Sequence, residues 1–323
     1  MPREPRMAGA AAARLRTVFM GTPGFAVASL AALAEAVDVT LVLCNPDRPA
    51  GRGRSTASPP VKEEAVRRGI AVFQPEKARH PDAVARIAAE APDLIVVVAY
   101  GHILPKSILD IPRLGCINVH ASLLPKYRGA APINWAVARG ETVTGITIMR
   151  MDEGMDTGPM LHVREIPIGE EDTAETMFSK LSILGAEALR EALRKLREGT
   201  LYETPQDAAL ATYAPKLTKE HGRIDWSRSS GEVCNLVRGM TPWPSAFAVH
   251  AGKALKVLSS AVAGESGAAG EAGEVVALGR DGIAVACGEG VLRLQVVQPE
   301  GGKAMDAWAY AQGRHVATGE RLS

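Results

Sequence analysis

Long apolar runs, an excess of charge and nucleotide-binding glycine motifs are all missing from this 323-residue sequence. No stretch of 18 apolar residues occurs, so no segment is long enough to cross a bilayer as a helix. The formal net charge is only +1, and any nucleic acid must therefore be bound by local basic patches. Neither GxGxxG nor GxxxxGKS/T is present, which disfavours dinucleotide and nucleoside triphosphate chemistry.

Cysteine is also scarce, since the chain contains only four: Cys44, Cys116, Cys234 and Cys287. Fifty-two residues lie between the closest pair, so neither a CxxC motif nor a zinc-type spacing occurs. We therefore expect reduced, buried thiols, as in a cytoplasmic protein, and no bound metal.

Residues 1–14 carry arginines around an alanine run, a composition that also occurs in organellar transit peptides. The stretch is brief, however, contains Pro2, Glu4 and Pro5, and has no serine. We therefore predict a disordered extension and a cytoplasmic protein, with a transit peptide as the alternative.

The remaining chain predicts two domains with different patterns of apolar residues. Its length also suggests two domains. Between residues 15 and 200, short apolar runs alternate with helical patterns, which is typical of a Rossmann-like, doubly wound α/β sheet. Residues 94–99 are continuously apolar, as in a strand buried on both faces. Residues 201–211 are polar and predict a linker. Residues 212–323 contain short alternating runs separated by glycines, which predict a smaller, OB-like β-barrel.

The side chains most suited to chemistry follow one predicted strand. Asn118 and His120 are two apart, so both leave the same face, at the end where open α/β sheets bind ligands. If His120 acts as an acid or base, it requires a nearby carboxylate, and a glycine-rich loop after the next strand offers Asp152, Glu153 and Asp156. We favour Asp156; the alternative is that these acids are solvated turn residues.

Two segments together carry a family resemblance. Asn-x-His-x-Ser-Leu-Leu-Pro begins at residue 118, and Asp-x-Gly-x-Asp-x-Gly-Pro begins at residue 152. In this order and spacing they resemble the folate-dependent formyltransferase family. A third similar segment covers residues 96–105, and the resemblance extends over residues 15–323. Ala121 stands where a glycine is common in the family, a small change that we expect to be tolerated.

The resemblance implies a formyl donor, a catalytic set and a binding surface. The donor is 10-formyltetrahydrofolate, and the catalytic residues are Asn118, His120 and Asp156. The acceptor amine attacks the formyl carbon directly through a tetrahedral intermediate, without a serine or cysteine nucleophile and without a metal. The expected folate-binding residues are Tyr100, Ile103, Leu104, Ser122, Leu123, Leu124 and Pro125.

Within the family, the chain is most similar to the members that formylate methionine on initiator tRNA. The sequence Pro-Asp-Arg-Pro-Ala-Gly-Arg-Gly-Arg at residues 46–54 matches a loop that contacts the tRNA acceptor arm in those members. Seven basic against three acidic residues leave residues 212–260 with a net charge of +4, which favours an RNA-facing surface. The expected tRNA-binding residues are Arg48, Arg52, Arg54, Lys216 and Arg238, with Arg52 matching the key arginine.

Other interpretations stay open at this point. A relative of the same family could formylate a nucleotide amino sugar or glycinamide ribonucleotide, or hydrolyse the donor. The first kind lacks the loop at residues 46–54, and the second usually lacks a C-terminal barrel. An inactive scaffold that only binds RNA is a further alternative, and the intact catalytic motifs argue against it. We expect no DNA partner, and we interpret Trp226 and Trp243 as core residues.

Overall fold

The computed structural model describes residues 14–50, 55–263 and 270–323. Of the predicted extension it describes only Arg14, because residues 1–13 lie outside the described residues. Contacts divide the described chain into two compact units. The first comprises residues 14–132, 144–166 and 178–214, and the second comprises residues 133–143, 167–177 and 215–323.

Strands and helices alternate along most of the first unit, as predicted. The strands between residues 14 and 214 are β1 (Arg16–Gly21), β2 (Asp38–Leu43), β3 (Arg48–Ala50), β4 (Ser55–Ala57), β5 (Val72–Phe73), β6 (Leu94–Val98), β7 (Cys116–His120), β8 (Arg128–Gly129), β9 (Val143–Arg150), β10 (Met160–Pro167) and β11 (Tyr213–Ala214). The α-helices are α1 (Val27–Ala36), α2 (Pro60–Arg67), α3 (Pro81–Ala89), α4 (Lys106–Leu109), α5 (Pro132–Ala138) and α6 (Ala174–Glu198).

Seven of these strands form one sheet in the order β10-β9-β7-β6-β1-β2-β5. The pairs β1–β2, β2–β5, β1–β6 and β6–β7 are parallel, whereas β7 and β9 are antiparallel. The chain proceeds from β1 to β2 and β5 on one side, and then continues on the other side of β1 at β6. The strand order therefore reverses between β1 and β6, and open α/β sheets bind ligands near such a point. The predicted doubly wound sheet is confirmed.

The central strands are apolar on both faces because helices cover both sides of a sheet of this kind. Every residue of β6 is buried, and only the first residue of β1 is exposed. The ends of β1 and β6 approach closely at Gly21, where a Cβ atom would lie 2.8 Å from the Val98 carbonyl oxygen. A side chain at this position would separate the two strands, so glycine is required.

The longest helix, α6, lies between a polar residue and a glycine. Asp172 lies before its first turn and accepts a hydrogen bond from the Thr176 hydroxyl at 2.9 Å. Gly199 follows the last turn and has a φ of +68°. This left-handed backbone favours glycine. Among the residues described, no helix combines the length and the apolar character that a membrane crossing needs.

Residues 201–211, which the sequence predicts to be a linker, belong to the first unit. The backbone of Thr204 exchanges two hydrogen bonds of 2.8 Å with that of Met160, at the start of β10. A few residues later, β11 pairs in parallel with β8. The polar composition of this segment reflects its exposure, since residues 202–205 and 207–210 are exposed while the backbone is anchored.

The second unit is built on an antiparallel sheet, as the alternating runs predict. Its strand path is β12-β13-β16-β15-β14, with β17 paired to β16. Besides most of α5, its elements are the helices α7 (Ser230–Met240) and α8 (Ala307–Arg314) and the strands β12 (Ala246–His250), β13 (Lys253–Val262), β14 (Val275–Gly279), β15 (Gly282–Ala286), β16 (Val291–Pro299) and β17 (Met305–Asp306).

The strand path of the second unit does not itself close into a ring, but its two ends meet the C-terminal residues. Ser323 exchanges two backbone hydrogen bonds with Val249 on β12. Glu320 accepts a hydrogen bond from Val275 on β14, and Leu322 donates one to Gly273. Residues 320–323 therefore satisfy backbone groups at both edges of the sheet, in keeping with the barrel-like architecture that the sequence predicts.

The two tryptophans of this unit have different environments. Trp226 is buried with Leu294 and Val285 in the core cluster, as predicted. The prediction for Trp243 is wrong, because 52% of its surface is exposed. This residue stands between two prolines outside any strand, where no periodicity indicates which way a side chain points.

The thiols provide a test of the packing. Cys44, Cys116 and Cys287 are buried, and burial raises the pKa of Cys44 and Cys287 to about 11 and that of Cys116 to about 12. A raised pKa leaves almost no reactive thiolate at pH 7.5. We therefore expect a chromogenic thiol reagent to label at most Cys234 in the native protein and all four cysteines in denaturant. Rapid labelling of two or more native thiols would contradict this packing.

Candidate active site

Asn118 and His120 lie at the carboxyl end of β7, next to the strand-order reversal. Asn118 is opposite Val97 of β6 and Met149 of β9, and His120 is opposite Thr147 of β9. Both residues lie on one face of the strand because successive side chains alternate. The structure therefore brings the predicted amide and imidazole to the same edge of the sheet.

The His120 ring is buried, and its two nitrogens have different partners. Its Nε2 atom lies 3.0 Å from the backbone oxygen of Tyr127. A carbonyl oxygen only accepts hydrogen bonds, so Nε2 carries a proton. The other nitrogen, Nδ1, faces the Asp156 carboxylate at 3.7 Å, which is beyond direct hydrogen-bond distance. Nδ1 is therefore the ring nitrogen without a hydrogen-bond partner at direct distance.

Asp156 is held in place by a turn that follows β7. The backbone N–H of Gly129 donates to Oδ2 of Asp156 at 2.8 Å, and this is the oxygen that faces His120. Asp156 has a φ of +55°. This left-handed backbone costs a non-glycine residue about 1–2 kcal/mol, so surrounding contacts must maintain it. The favoured acid is thus brought to His120, while Asp152 instead accepts hydrogen bonds from Thr157 and Gly154 in its own loop.

The Asn118 side chain is half-buried and has no hydrogen-bond partner within the described residues. Its amide can therefore donate to a ligand without breaking a bond in the protein. Removing a polar group from water without giving it a hydrogen-bond partner costs free energy. A half-buried, unpaired amide beside a histidine is therefore well suited to bind a substrate oxygen.

The loop at residues 122–125 is fixed by hydrogen bonds to the backbone. The Ser122 hydroxyl donates to the Lys126 carbonyl oxygen at 2.6 Å, and Leu124 is buried. Thr147 on β9 donates to the Ser122 carbonyl oxygen at 2.7 Å and accepts from the Leu124 N–H at 3.1 Å. Of the predicted folate-binding residues here, Leu123 and Pro125 remain partly exposed.

The second predicted folate segment has mixed exposure. Tyr100 and Leu104 belong to the core cluster of the first unit, with 1% and 3% of their surfaces exposed. Burial raises the pKa of Tyr100 to about 12, and its hydroxyl has no partner within the described chain. Ile103 is 83% exposed. Ile103 is therefore the residue of this group that presents an apolar side chain to solvent.

A polar cluster lies at the base of the predicted tRNA loop. The Asn45 side-chain oxygen lies 2.7 Å from Nε2 of His102, and Gln74 donates to both the Asn45 carbonyl and Asp47. Lys62 donates to Asp47 at 2.6 Å, and this hydrogen bond holds the Asp47 pKa below its ordinary value. The cluster anchors the chain immediately before the hairpin of β3 and β4.

The predicted tRNA-binding residues have different environments. Arg48 and Lys216 are exposed, whereas Arg52 and Arg54 lie outside the described residues. Arg238 donates to the carbonyl oxygens of Gly169 and Asp172, at 3.1 and 2.8 Å, and to the Asn235 side chain. Several of its N–H groups are therefore used within the second unit.

Three contributors to the site were missed by sequence reasoning. The Tyr127 carbonyl and the Gly129 N–H act through the backbone, which leaves no signature in a side chain. Thr147 does carry a signal, since it is a polar residue in the otherwise apolar run Ile-Thr-Ile-Met. Nothing indicates a metal: the described residues contain no group of three His, Cys, Asp or Glu side chains that could hold one.

Replacing Thr147 by valine tests how the 122–125 loop is held. Thr147 is fully buried, and valine has the same shape without the hydroxyl. The Leu124 N–H and the Ser122 carbonyl would lose this partner, so we expect the free energy of unfolding to fall by about 1–3 kcal/mol. Urea denaturation measures this, with the exposed Thr142→Val as a control that changes stability by less than about 0.5 kcal/mol. Equal stabilities for both variants would contradict the assignment.

Comparisons with known proteins identify the family of the chain. The family model "Formyl transferase" matches residues 15–193, and "Formyl transferase, C-terminal domain" matches residues 216–315. The chain is 51% identical over 311 residues to the methionyl-tRNA formyltransferase of Geobacter metallireducens, covering 96% of this chain and 99% of that protein.

Solved structures show the same fold at lower identity. HypX from Aquifex aeolicus in complex with tetrahydrofolic acid superposes with a TM-score of 0.61 at 19% identity, covering 95% of this chain and 49% of that one. An N-formyltransferase from Helicobacter canadensis, in complex with folinic acid and dTDP-3-aminofucose, gives a TM-score of 0.63 at 16% identity, covering 87% and 99%. The chain belongs to the folate-dependent formyltransferase family, within its methionyl-tRNA formyltransferase group.

Proposed function

We propose that this protein transfers the formyl group of 10-formyltetrahydrofolate to the α-amino group of methionyl-initiator tRNA, giving N-formylmethionyl-tRNA for translation initiation. The observation that carries the proposal is the meeting of Asn118, His120 and Asp156 at the carboxyl end of β7, in a chain that is half identical to curated methionyl-tRNA formyltransferases over its whole length. We place the protein in the cytoplasm, where translation begins.

The reaction needs no covalent intermediate with the protein. An α-amino group has a reference pKa of about 7.7–8.0, so a substantial fraction is neutral and nucleophilic near neutral pH. Its nitrogen attacks the formyl carbon, the bond from that carbon to N10 of the folate breaks, and a proton moves from the amine to N10. Negative charge builds on the formyl oxygen in between, and stabilising it is the task of the protein.

Asn118 is the donor for the developing negative charge. Its amide has no competing partner among the residues that the structure describes, and it is fixed to a central strand. A donor that is held in place before the reaction needs no reorganisation as the charge develops. Removal of one such donor typically slows the chemical step about 10²–10³-fold.

His120 accepts and returns the proton through Nδ1. Its Nε2–H is bound to the Tyr127 carbonyl, which fixes the ring and leaves Nδ1 without a proton in the neutral state. When Nδ1 takes up a proton, the Asp156 carboxylate at 3.7 Å stabilises the positive charge. In that state Nδ1–H is a second donor for the formyl oxygen, and it can pass the proton to N10.

Basic residues support tRNA as the carrier of the acceptor amine. The exposed Arg48, together with Arg52 and Arg54 of the same loop, forms the proposed contact with the acceptor arm, and the exposed Lys216 adds one from the second unit. Arginine suits this role because its planar guanidinium binds phosphates with two hydrogen bonds. We keep Arg238 as a proposed tRNA contact. It acts through the guanidinium N–H groups that do not already donate to Gly169, Asp172 and Asn235.

A formyl-transfer assay with two alternative acceptors tests the proposed function directly. The protein is incubated with 10-formyltetrahydrofolate and either methionyl-initiator tRNA or a nucleotide amino sugar. We expect formyl-methionine on the tRNA and no formylated sugar. Formylation of the sugar alone would favour the alternative acceptor, and retention of tRNA without transfer would favour an inactive RNA-binding scaffold.

Substitutions in the catalytic set should separate chemistry from folding. We expect Asn118→Ala, His120→Ala and Asp156→Asn each to keep a folded structure by circular dichroism while kcat falls by about 10²-fold or more, since each loses charge stabilisation or proton transfer. Glu153→Gln is the matched control, because this acid lies exposed in the same loop as Asp156. A variant of the three with wild-type kcat would remove that residue from the mechanism.

Arg52→Ala tests the tRNA loop. The loss of a guanidinium from a phosphate contact should raise KM for methionyl-tRNA and weaken its salt dependence, while KM for the folate stays the same. Arg67→Ala is the control, because Arg67 is an exposed arginine of the same unit that pairs with Glu64. If the two variants have the same KM for tRNA, the loop is only a solvated surface segment.

A further inference from the structure

The segment at residues 204–214 contacts both loops that shape the catalytic site. Its first residue pairs with Met160, and its last two pair with β8, directly after Tyr127. Thr212 adds two bonds, since its hydroxyl accepts from the Tyr127 N–H and its carbonyl from the Arg128 N–H, both at 2.9 Å. Gln206 is the one side chain between residues 202 and 210 that is turned inward and partly buried.

The Gln206 amide connects the two loops, and its orientation is fixed by its partners. Its Nε2 donates to the carbonyl oxygens of Asp156 and Gly158, at 2.9 and 2.7 Å. Its Oε1 accepts from Nε and Nη2 of Arg128, at 3.0 and 2.7 Å. Carbonyl oxygens only accept and a guanidinium only donates, so the reversed amide would be repelled at both ends.

Arg128 strengthens this arrangement. Its side chain is nearly fully buried, with 5% of the residue exposed, and no carboxylate lies within ion-pair distance of it in the described parts of the chain. A buried charge requires a polar partner, and Gln206 supplies it. Hydrogen bonds from a charged donor are roughly twice as strong as neutral ones, so Arg128 holds the Gln206 amide firmly.

The two carbonyls that Gln206 binds belong to the strained residue, Asp156, and to Gly158, two residues later. Asp156 has the left-handed backbone described above, and a backbone of this kind persists only where its surroundings determine it. The same residue must present one carboxylate oxygen to both Gly129 and His120. A bond to the backbone at residues 156 and 158 therefore controls where the carboxylate lies.

We propose that Gln206 is a positioning residue for Asp156, and that the segment at residues 204–214 is part of the catalytic apparatus. Gln206 does not touch the substrates; it holds the backbone of the 152–159 loop so that the Asp156 carboxylate faces Nδ1 of His120. The proposal deepens the proposed function and rests on it for its kinetic consequences, although the restraint on the loop is measurable independently of activity.

A double-mutant cycle tests whether Gln206 acts through Asp156. Gln206→Met removes both ends of the amide with little change in volume, and Gln206→Glu keeps the bond to Arg128 but loses the donors to the loop. We expect either substitution to lower kcat about tenfold or more, with both KM values within about threefold, because a displaced catalytic group slows chemistry rather than binding. In an Asp156→Asn background the same substitutions should change kcat by less than about twofold, because residues that act as a unit are not additive. An equal loss of kcat in both backgrounds would overturn the proposal.

Hydrogen exchange measures the restraint itself. Peptides covering residues 126–131 and 152–159 should exchange faster in Gln206→Met than in the wild type. Asp207→Ala is the matched control, because Asp207 is the next residue and caps the Ala209 N–H, so its loss loosens the segment without touching the catalytic loop. Unchanged exchange in Gln206→Met, or equal acceleration in Asp207→Ala, would overturn the positioning role. If the wild-type protein transfers no formyl group, the proposed function is refuted. The exchange result then still decides whether Gln206 restrains the loop.

Discussion

The hydrogen bond from the Gly129 N–H to the Asp156 carboxylate is the contact on which the rest of the site depends. It joins the turn after β7 to the loop after β9, and the same carboxylate oxygen faces His120. Without it, the Asp156 carboxylate would lose its direct hydrogen bond to the turn whose Tyr127 carbonyl holds His120. β7 and β9 are paired antiparallel, so the chain leaves them at opposite ends, and this hydrogen bond brings the two loops together.

The sequence predicts the sheet and the side chains of the site more completely than their connections. The apolar run at residues 94–98 and the alternation of strands with helices follow from burial, which acts on side chains and is therefore visible in the sequence. Asn118 and His120 could be placed on one face because the period of a strand is two residues. The position of Asp156 could only be proposed, because the path of a glycine-rich loop has no such period.

The features that the sequence could not reveal depend mainly on backbone groups and on the exposure of side chains. The carbonyl of Tyr127 and the N–H of Gly129 have no signature in residue type, and Gln206 lies in a polar stretch typical of a linker. Trp243 shows the opposite error, since its large apolar side chain predicted burial although it lies exposed between two prolines. In this chain a polar segment is anchored by its backbone, while a large apolar side chain lies in solvent.

The most direct measurement of the central claim is a crystal structure of the protein with 10-formyl-5,8-dideazafolate, a stable analogue of the donor that carries the formyl group on N10. We expect the formyl oxygen to lie about 2.7–3.1 Å from the Asn118 amide nitrogen, on the side of β7 that also carries His120. We also expect the Asp156 carboxylate to face Nδ1 in that complex. A formyl group bound away from the carboxyl end of β7, with the Asn118 amide in solvent, would contradict the account.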